Sequence, residues 1–133
     1  MSAAIRDSFA GQTMMRTFGA ELTEIGDGRV VIEAPIRDIA RQHHGYGHAG
    51  LTFALGDTAA GYAAATLMAE GAEPLTAEIK INLLRPAAGE RLIARGRVIR
   101  PGRRLLVVAA TVAALREGRE VEIAILQGTM IPA

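Results

Sequence analysis

The chain contains no cysteine and no tryptophan, so neither a disulfide framework nor thiol catalysis is open to it. Serine is confined to Ser2 and Ser8, both close to the N-terminus, which makes a Ser-His-Asp nucleophile a poor reading. Lys80 is the single lysine, the other basic residues are arginine, and the net charge is +1. That balance argues against a general nucleic-acid binder. No apolar run reaches a spanning length without a charge, and the opening residues MSAAIRDSFAG lack the basic-then-apolar order of a signal peptide. A soluble, cytoplasmic protein without membrane or nucleic-acid partners is therefore expected. Half of the 133 residues are apolar, enough for one domain, residues 1–133, with a real core.

The chain is organised around Gln42 to Ala65. This stretch begins as a polar, glycine-punctuated loop and turns at Ala49 or Gly50 into an alanine-rich run expected to be helical to about Met68. Within that run Asp57 is the single acidic or basic residue. A helix apolar nearly all round belongs inside a protein, so Asp57 is expected to be buried or half-buried, and a buried carboxylate needs a partner or a task. The preceding Gly45, Gly47 and Gly50 let backbone approach a ligand closely. A helix opening there directs free N–H groups and its positive dipole end at whatever docks. An acid and a set of oxyanion-type donors follow. Asp57 shares a face with Ala49 and Gly50 but lies roughly 10–12 Å further along the axis, so one reacting carbonyl cannot touch both. Two copies of the helix packed antiparallel about a twofold axis near Phe53 would bring each Asp57 to the partner's helix start.

Around this centre, Ala3 to Ala10 is expected to form a short covering helix. Phe18 to Ile25 and Arg29 to Ile36 flank Gly26-Asp27-Gly28, a hairpin signal. After the central helix, closed at Glu70-Gly71, four strands are expected over Thr76–Leu84, Arg91–Arg100, Arg103–Leu115 and Glu120–Met130, running as a meander. In the first of these, alternation puts Thr76, Glu78, Lys80 and Asn82 on one face and Ala77, Ile79, Ile81 and Leu83 on the other. In the second, Ala94 and Gly96 would let a helix lie close. One long helix against one large antiparallel sheet of about six strands is an α+β two-layer fold.

Gln42-x-x-Gly45-x-x-His48-Ala49-Gly50, followed by Leu55-Gly56-Asp57 and Ala59-x-Gly61, resembles the signature of the PaaI-type acyl-CoA thioesterases of the hotdog fold. Thr76-Ala77-Glu78-Ile79 running to Leu84-Arg85-Pro86 resembles that family's next characteristic piece, and element order agrees over almost the whole chain. The resemblance implies a curved sheet around a long helix and a thioester hydrolase acting on acyl-CoA with a small to medium acyl group, aromatic ones included. It implies Asp57 as catalytic carboxylate, general base for water or nucleophile, and the Ala49 N–H, with Gly50 nearby, as the donor polarising the carbonyl. His48 would shape the turn, and Gln42 and Thr76 would hold water or carboxylate. Gln42 stands where the family usually has asparagine and Ala49 where it has glycine; alanine keeps the N–H. Family members often pair dimers into tetramers, so a homodimer with shared sites, assembling further to a tetramer, is implied.

Thioesters are activated enough that a carboxylate base and one or two fixed donors suffice, each worth roughly 10²–10⁴-fold. The arginines Arg91, Arg95, Arg97, Arg100, Arg103 and Arg104 are dense around one turn. They read either as a solvated strand face or as a landing site for coenzyme A phosphates, with Arg85, Arg103 and Arg104 the candidates carried forward. His43, His44 and His48 sit in a loop with no second acid beside them, a weak metal pattern; neither metal nor other cofactor is expected. Two alternatives to the hydrolase are a non-catalytic acyl-CoA-binding module and a hotdog hydratase or dehydratase. The hydratase needs a histidine and an acid across the substrate carbons, whereas His48 lies in the turn.

Overall fold

A computed structural model describes residues 2–133. In chain order it has α1 (Ser2–Ala10), α2 (Thr13–Thr17), β1 (Glu21–Gly26), β2 (Arg29–Pro35), a short 3-10 turn (Asp38–Ala40), α3 (Ala49–Ala65), β3 (Pro74–Leu83), β4 (Arg91–Pro101), β5 (Leu106–Arg116) and β6 (Arg119–Pro132). The six strands form one antiparallel sheet in the order β1-β2-β4-β5-β6-β3, and α3 lies across β2, β4, β5 and β3. This is the hotdog arrangement that the sequence led us to expect. No helix among the described residues is long and apolar enough to cross a membrane.

Alternation explains which strand faces carry the core. In β2, Val30, Ile32 and Ala34 are buried while Val31, Glu33 and Pro35 are half-buried, and in β4 Leu92, Ala94 and Gly96 face inward. They meet Leu51, Leu55, Ala59 and Ala63 of α3, each nearly inaccessible. The approach is close because β4 presents glycine where the helix crosses: a Cβ on Gly96 would stand 2.2 Å from the Ala59 carbonyl oxygen. At the far end of α3, buried Thr66 donates from Oγ1 to the Ala63 carbonyl and accepts from the Gly28 N–H, both at 2.7 Å. The β1–β2 turn is thereby tied to the end of the helix.

Four local expectations change. The last four strands do not form a simple meander: β4, β5 and β6 do, but β3 crosses to the far edge and pairs with β6, while β2 takes the place beside β4. The buried helix between β2 and β3 makes that crossover possible. The strand expected from Phe18 begins only at Glu21, because Gly19 is in the left-handed region (φ 67°) and the Ala20 N–H bonds back to Met15, closing α2. Helix α2 itself has no signal in the sequence; five residues carry no readable period. Regular helix in α3 stops at Ala65 rather than near Met68, although Leu67 and Met68 still bond to Ala64 and Ala65 in tighter turns.

Candidate active site

The loop before α3 is held by its own backbone. Gln42 N–H bonds to the Tyr46 carbonyl and His48 N–H to the Ala40 carbonyl, while Gly47 pairs with Ala87. Gly45 has φ 89°, a conformation that L side chains rarely adopt. A Cβ on Gly47 would sit 3.1 Å from that of Ala87. Gly45 and Gly47 thus allow a tight loop packed on Ala87, and the chain enters α3 along one fixed path.

His48 is the N-cap of α3, with extended backbone (φ −62°, ψ 145°), and its Nδ1 accepts a 2.7 Å bond from the Gly50 N–H. This fixes the tautomer, since an accepting Nδ1 leaves the proton on Nε2. It also commits the Gly50 N–H to the cap. Leu51 and Thr52 turn their N–H groups back to the His48 carbonyl. Ala49 N–H is the donor of the first turn for which no partner is present among the described residues. A Cβ on Gly50 would lie 3.0 Å from His48 Nδ1, a tight contact that the imidazole would have to yield to. Gln42 accepts at Oε1 from the His44 N–H (2.6 Å), which leaves its amide NH₂ outward. Gln42, Ala49 and Arg85 line a common cavity of about 400 Å³.

Asp57 is half-buried on the same helix and belongs to a different cavity, of about 280 Å³, shared with Thr76, Gly61 and Met130. Thr76 Oγ1 donates a 2.7 Å bond to Asp57 Oδ1 and also touches Met130 Sδ. Strict alternation had put Thr76 on the face away from Ile79 and Ile81. A β-bulge reverses that: Thr76 pairs with Met130 and Glu78 with Thr129, so Ala77 is the extra residue and Thr76 turns toward the helix. The bulge is what gives Asp57 its partner.

The arginines divide. Arg91 pairs with Glu33 and Arg95 with Glu120 on the outer face of the sheet, as a solvated strand face would. Arg85 is tethered through Nη1 to the Glu122 carbonyl (2.6 Å) beside Ala49. Arg103 and Arg104 are exposed on the β4–β5 turn, at the other end of the eleven-residue β4 from Arg91. The rings of His43 and His44 lie 4.1 Å apart, tilted by 42° to each other. Among the described residues no group of three or more His, Asp or Glu side chains is arranged to hold a metal ion.

A two-layer hotdog domain with a capped helix start and a carboxylate further along the same helix defines the class. The thioesterase superfamily matches residues 44–121, and the chain belongs to that superfamily. It is 44% identical to a thioesterase family protein of Silicibacter pomeroyi, covering 98% of this chain and 96% of that one with a TM-score of 0.96. The PaaI protein of the Escherichia coli phenylacetic acid degradation operon is 21% identical over 96% of this chain and 88% of its own, TM-score 0.84. A Bacillus halodurans protein solved with CoA is 22% identical over 98% and 82%, TM-score 0.82. These last two likenesses are of fold. Among curated proteins none matches the chain.

Proposed function

We propose that the chain hydrolyses acyl-CoA thioesters of small to medium acyl groups, aromatic ones included. The observation that carries this is the pairing of a half-buried, Thr76-anchored Asp57 with an unengaged Ala49 N–H at the start of the same helix. Asp57 acts as base or as nucleophile. As base, it takes a proton from water while the water oxygen attacks the thioester carbon; the carbonyl oxygen, becoming negative, is received by the Ala49 N–H and the dipole of α3. The C–S bond then breaks and the thiolate leaves, taking up a proton. Gln42, its carbonyl occupied, presents N–H donors to the same oxygen or to water. His48 acts through the cap it forms.

Asp57 and Ala49 lie on one helix, roughly 10–12 Å apart, and line separate cavities. The working unit is therefore a homodimer in which each site takes Asp57 from one chain and Ala49 from the other. The surface supports such a pairing. The ten-residue β3 is a free sheet edge, with Leu75 and Leu83 more than half exposed and Phe53 of α3 37% exposed beside it. A tetramer built from two such dimers is compatible. Coenzyme A as the carrier is supported by the hotdog protein solved with CoA and by Arg85 at the Ala49 cavity, a guanidinium suited to phosphate. Arg103 and Arg104 offer a second landing place. The hydratase alternative is disfavoured because His48 Nδ1 is spent on Gly50.

The test is turnover across a panel of acyl-CoAs by wild type and by Asp57→Asn. A drop in kcat of roughly 10²–10⁴-fold in a folded variant is expected. Near-wild-type hydrolysis by that variant removes Asp57 from the mechanism, and no hydrolysis by the wild type with retained CoA binding favours the binding module.

A further inference from the structure

Beyond Asp57, the same cavity is closed by residues of the N-terminal helices that the reaction does not use. Tyr62, 5% exposed, carries its hydroxyl to Ser8 Oγ (2.9 Å) and Gln12 Nε2 (2.8 Å). The ring of Phe9 meets that of Tyr62 edge-on at 6.1 Å, fixing it. Gln12 Nε2 can only donate, so Tyr62 Oη accepts from it, while between Tyr62 and Ser8 either hydroxyl can be the donor. Among the described residues Ser8 Oγ has no further hydrogen-bond partner. Whichever way that bond runs, one of the two hydroxyl protons is left available to whatever fills the cavity beside Asp57.

Gly61 lies between this wall and Asp57, four residues and about 6 Å along α3 from the carboxylate. A Cβ there would meet only Met130 Cε at 3.8 Å, its Sδ at 4.0 Å and Pro74 Cγ at 4.0 Å. Those are ordinary contacts, so protein packing does not demand glycine at this point; the space is left to the cavity. Glu73 lies on the rim, so with Asp57 the cavity has two carboxylates in its lining. Behind the Ser8–Tyr62 pair is a smaller apolar cleft of about 130 Å³ lined by Ile5, Ala65 and Met68. The hydroxyl pair borders both spaces and stops an occupant from running on into the second.

We propose that this cavity is the acyl pocket and that it selects compact, uncharged acyl groups carrying a hydroxyl or keto oxygen at the end away from the thioester. This rests on the thioester reading above. A plain methyl end would cover the Ser8–Tyr62 hydroxyl pair without engaging its free proton, which costs affinity. An anionic end would face two carboxylates. Gly61 sets the room available, as a single added methyl does in a pocket of this size.

The test compares acyl-CoAs of one length and different ends: pentanoyl, 5-hydroxypentanoyl and glutaryl, with acetyl as the short reference. Wild type is expected to favour 5-hydroxypentanoyl over pentanoyl in kcat/KM by about five- to tenfold, with glutaryl poorest. Ser8→Ala combined with Tyr62→Phe, which removes both hydroxyls of the pair, is expected to bring the 5-hydroxypentanoyl to pentanoyl ratio close to one. Gly61→Ala is expected to lower the pentanoyl to acetyl ratio about tenfold. Equal use of the hydroxyl and methyl ends, glutaryl used as well as 5-hydroxypentanoyl, or ratios unmoved in both variants overturn the pocket. The unreactive thioethers S-pentyl-CoA and S-(5-hydroxypentyl)-CoA, titrated by calorimetry, separate this from the hydrolase reading. Tighter binding of the hydroxyl analogue, lost when Ser8→Ala and Tyr62→Phe are combined, supports the pocket even where no thioester is hydrolysed; equal binding overturns it.

Discussion

Thr76 Oγ1 donates to Asp57 Oδ1 at 2.7 Å, across the gap between the edge strand β3 and the helix α3. One carboxylate oxygen is thus held, and the other is left for chemistry. Thr76→Val keeps the shape and removes the donor. We expect kcat to fall about three- to thirtyfold, less than for Asp57→Asn, because orientation is a weaker demand than proton transfer. Steady-state kinetics of the two variants decide it; a larger loss at Thr76 would reverse the roles given to them.

His48 holds the helix start through a single bond from Gly50 to Nδ1. Replacing it by alanine removes the cap and is expected to cost about 1 kcal/mol of stability. It also frees the Gly50 N–H to compete with Ala49 for the carbonyl, so kcat should fall while the fold survives. His48→Asn, which supplies a good capping acceptor, is expected to recover most of the stability. Urea unfolding together with kcat on all three proteins checks this. Failure of asparagine to restore stability would assign His48 a role other than capping.

Gly96 tests the packing of the sheet on the helix. Its absent Cβ would overlap the Ala59 carbonyl oxygen and the Ala60 nitrogen, both backbone atoms that cannot swing aside. Gly96→Ala is expected to destabilise by about 1–3 kcal/mol, the usual range for forcing an atom into a packed core. Gly61→Ala, four helical residues past Asp57 and free of such overlap, should be neutral or slightly stabilising in the same unfolding measurement. Equal effects at the two positions would contradict the packing described.

Bonding to Arg95 is the larger cause that holds the Glu120 carboxyl below its usual range, against the opposing effect of burial. A carboxyl with a lowered folded pKa adds stability that is fully present above its unfolded value, about 4.3, and is lost as pH falls through the folded one. Both side chains are nearly half exposed, so solvent screening limits the pair to about 0.2–1 kcal/mol. Glu120→Gln should therefore cost no more than about 1 kcal/mol at pH 7, and the difference from wild type should shrink as pH drops below about 4. Unfolding titrations at neutral and acid pH measure it. A deficit undiminished in acid would belong to shape and not to charge.

Much of this architecture is legible in the residues. Val30, Ile32 and Ala34 alternate because β2 has one face on the core, and Gly26-Asp27-Gly28 supplies the turn. The loop glycines and the apolar run after them locate α3. Two things were not legible, and both are matters of pairing across the sheet. The partner of β3 is β6, a choice made by where α3 carries the chain and not by any local pattern. The bulge at Ala77 leaves the sequence alternating cleanly while turning Thr76 from the outer to the inner face. The same limit hid the Ser8, Gln12 and Tyr62 cluster, whose members are 50 and 54 residues apart in the chain. Nothing local marks α1 and the turn at Gln12 as part of a pocket wall.

The proposed sharing of each site between two chains makes the sharpest demand on the structure. One variant, Asp57→Asn, removes the acid. The other, Ala49→Pro, removes the free N–H. Proline is well placed there: Ala49 is the first helical residue, where its missing N–H breaks no helix bond. His48 before it already has the extended backbone (ψ 145°) that a residue preceding proline requires. The substitution should therefore delete the donor and keep the helix. If each site takes Asp57 from one chain and Ala49 from the other, both parent homodimers are inactive, whereas a mixed dimer holds one site with both lesions and one with neither. After unfolding and refolding together in equal amounts, about half of the dimers are mixed, each with one of its two sites intact, so recovery to roughly a quarter of wild-type activity is expected from random pairing of the two chains. Verified mixed dimers that stay inactive, or a stable monomer that hydrolyses thioesters, would place Asp57 and Ala49 in separate tasks.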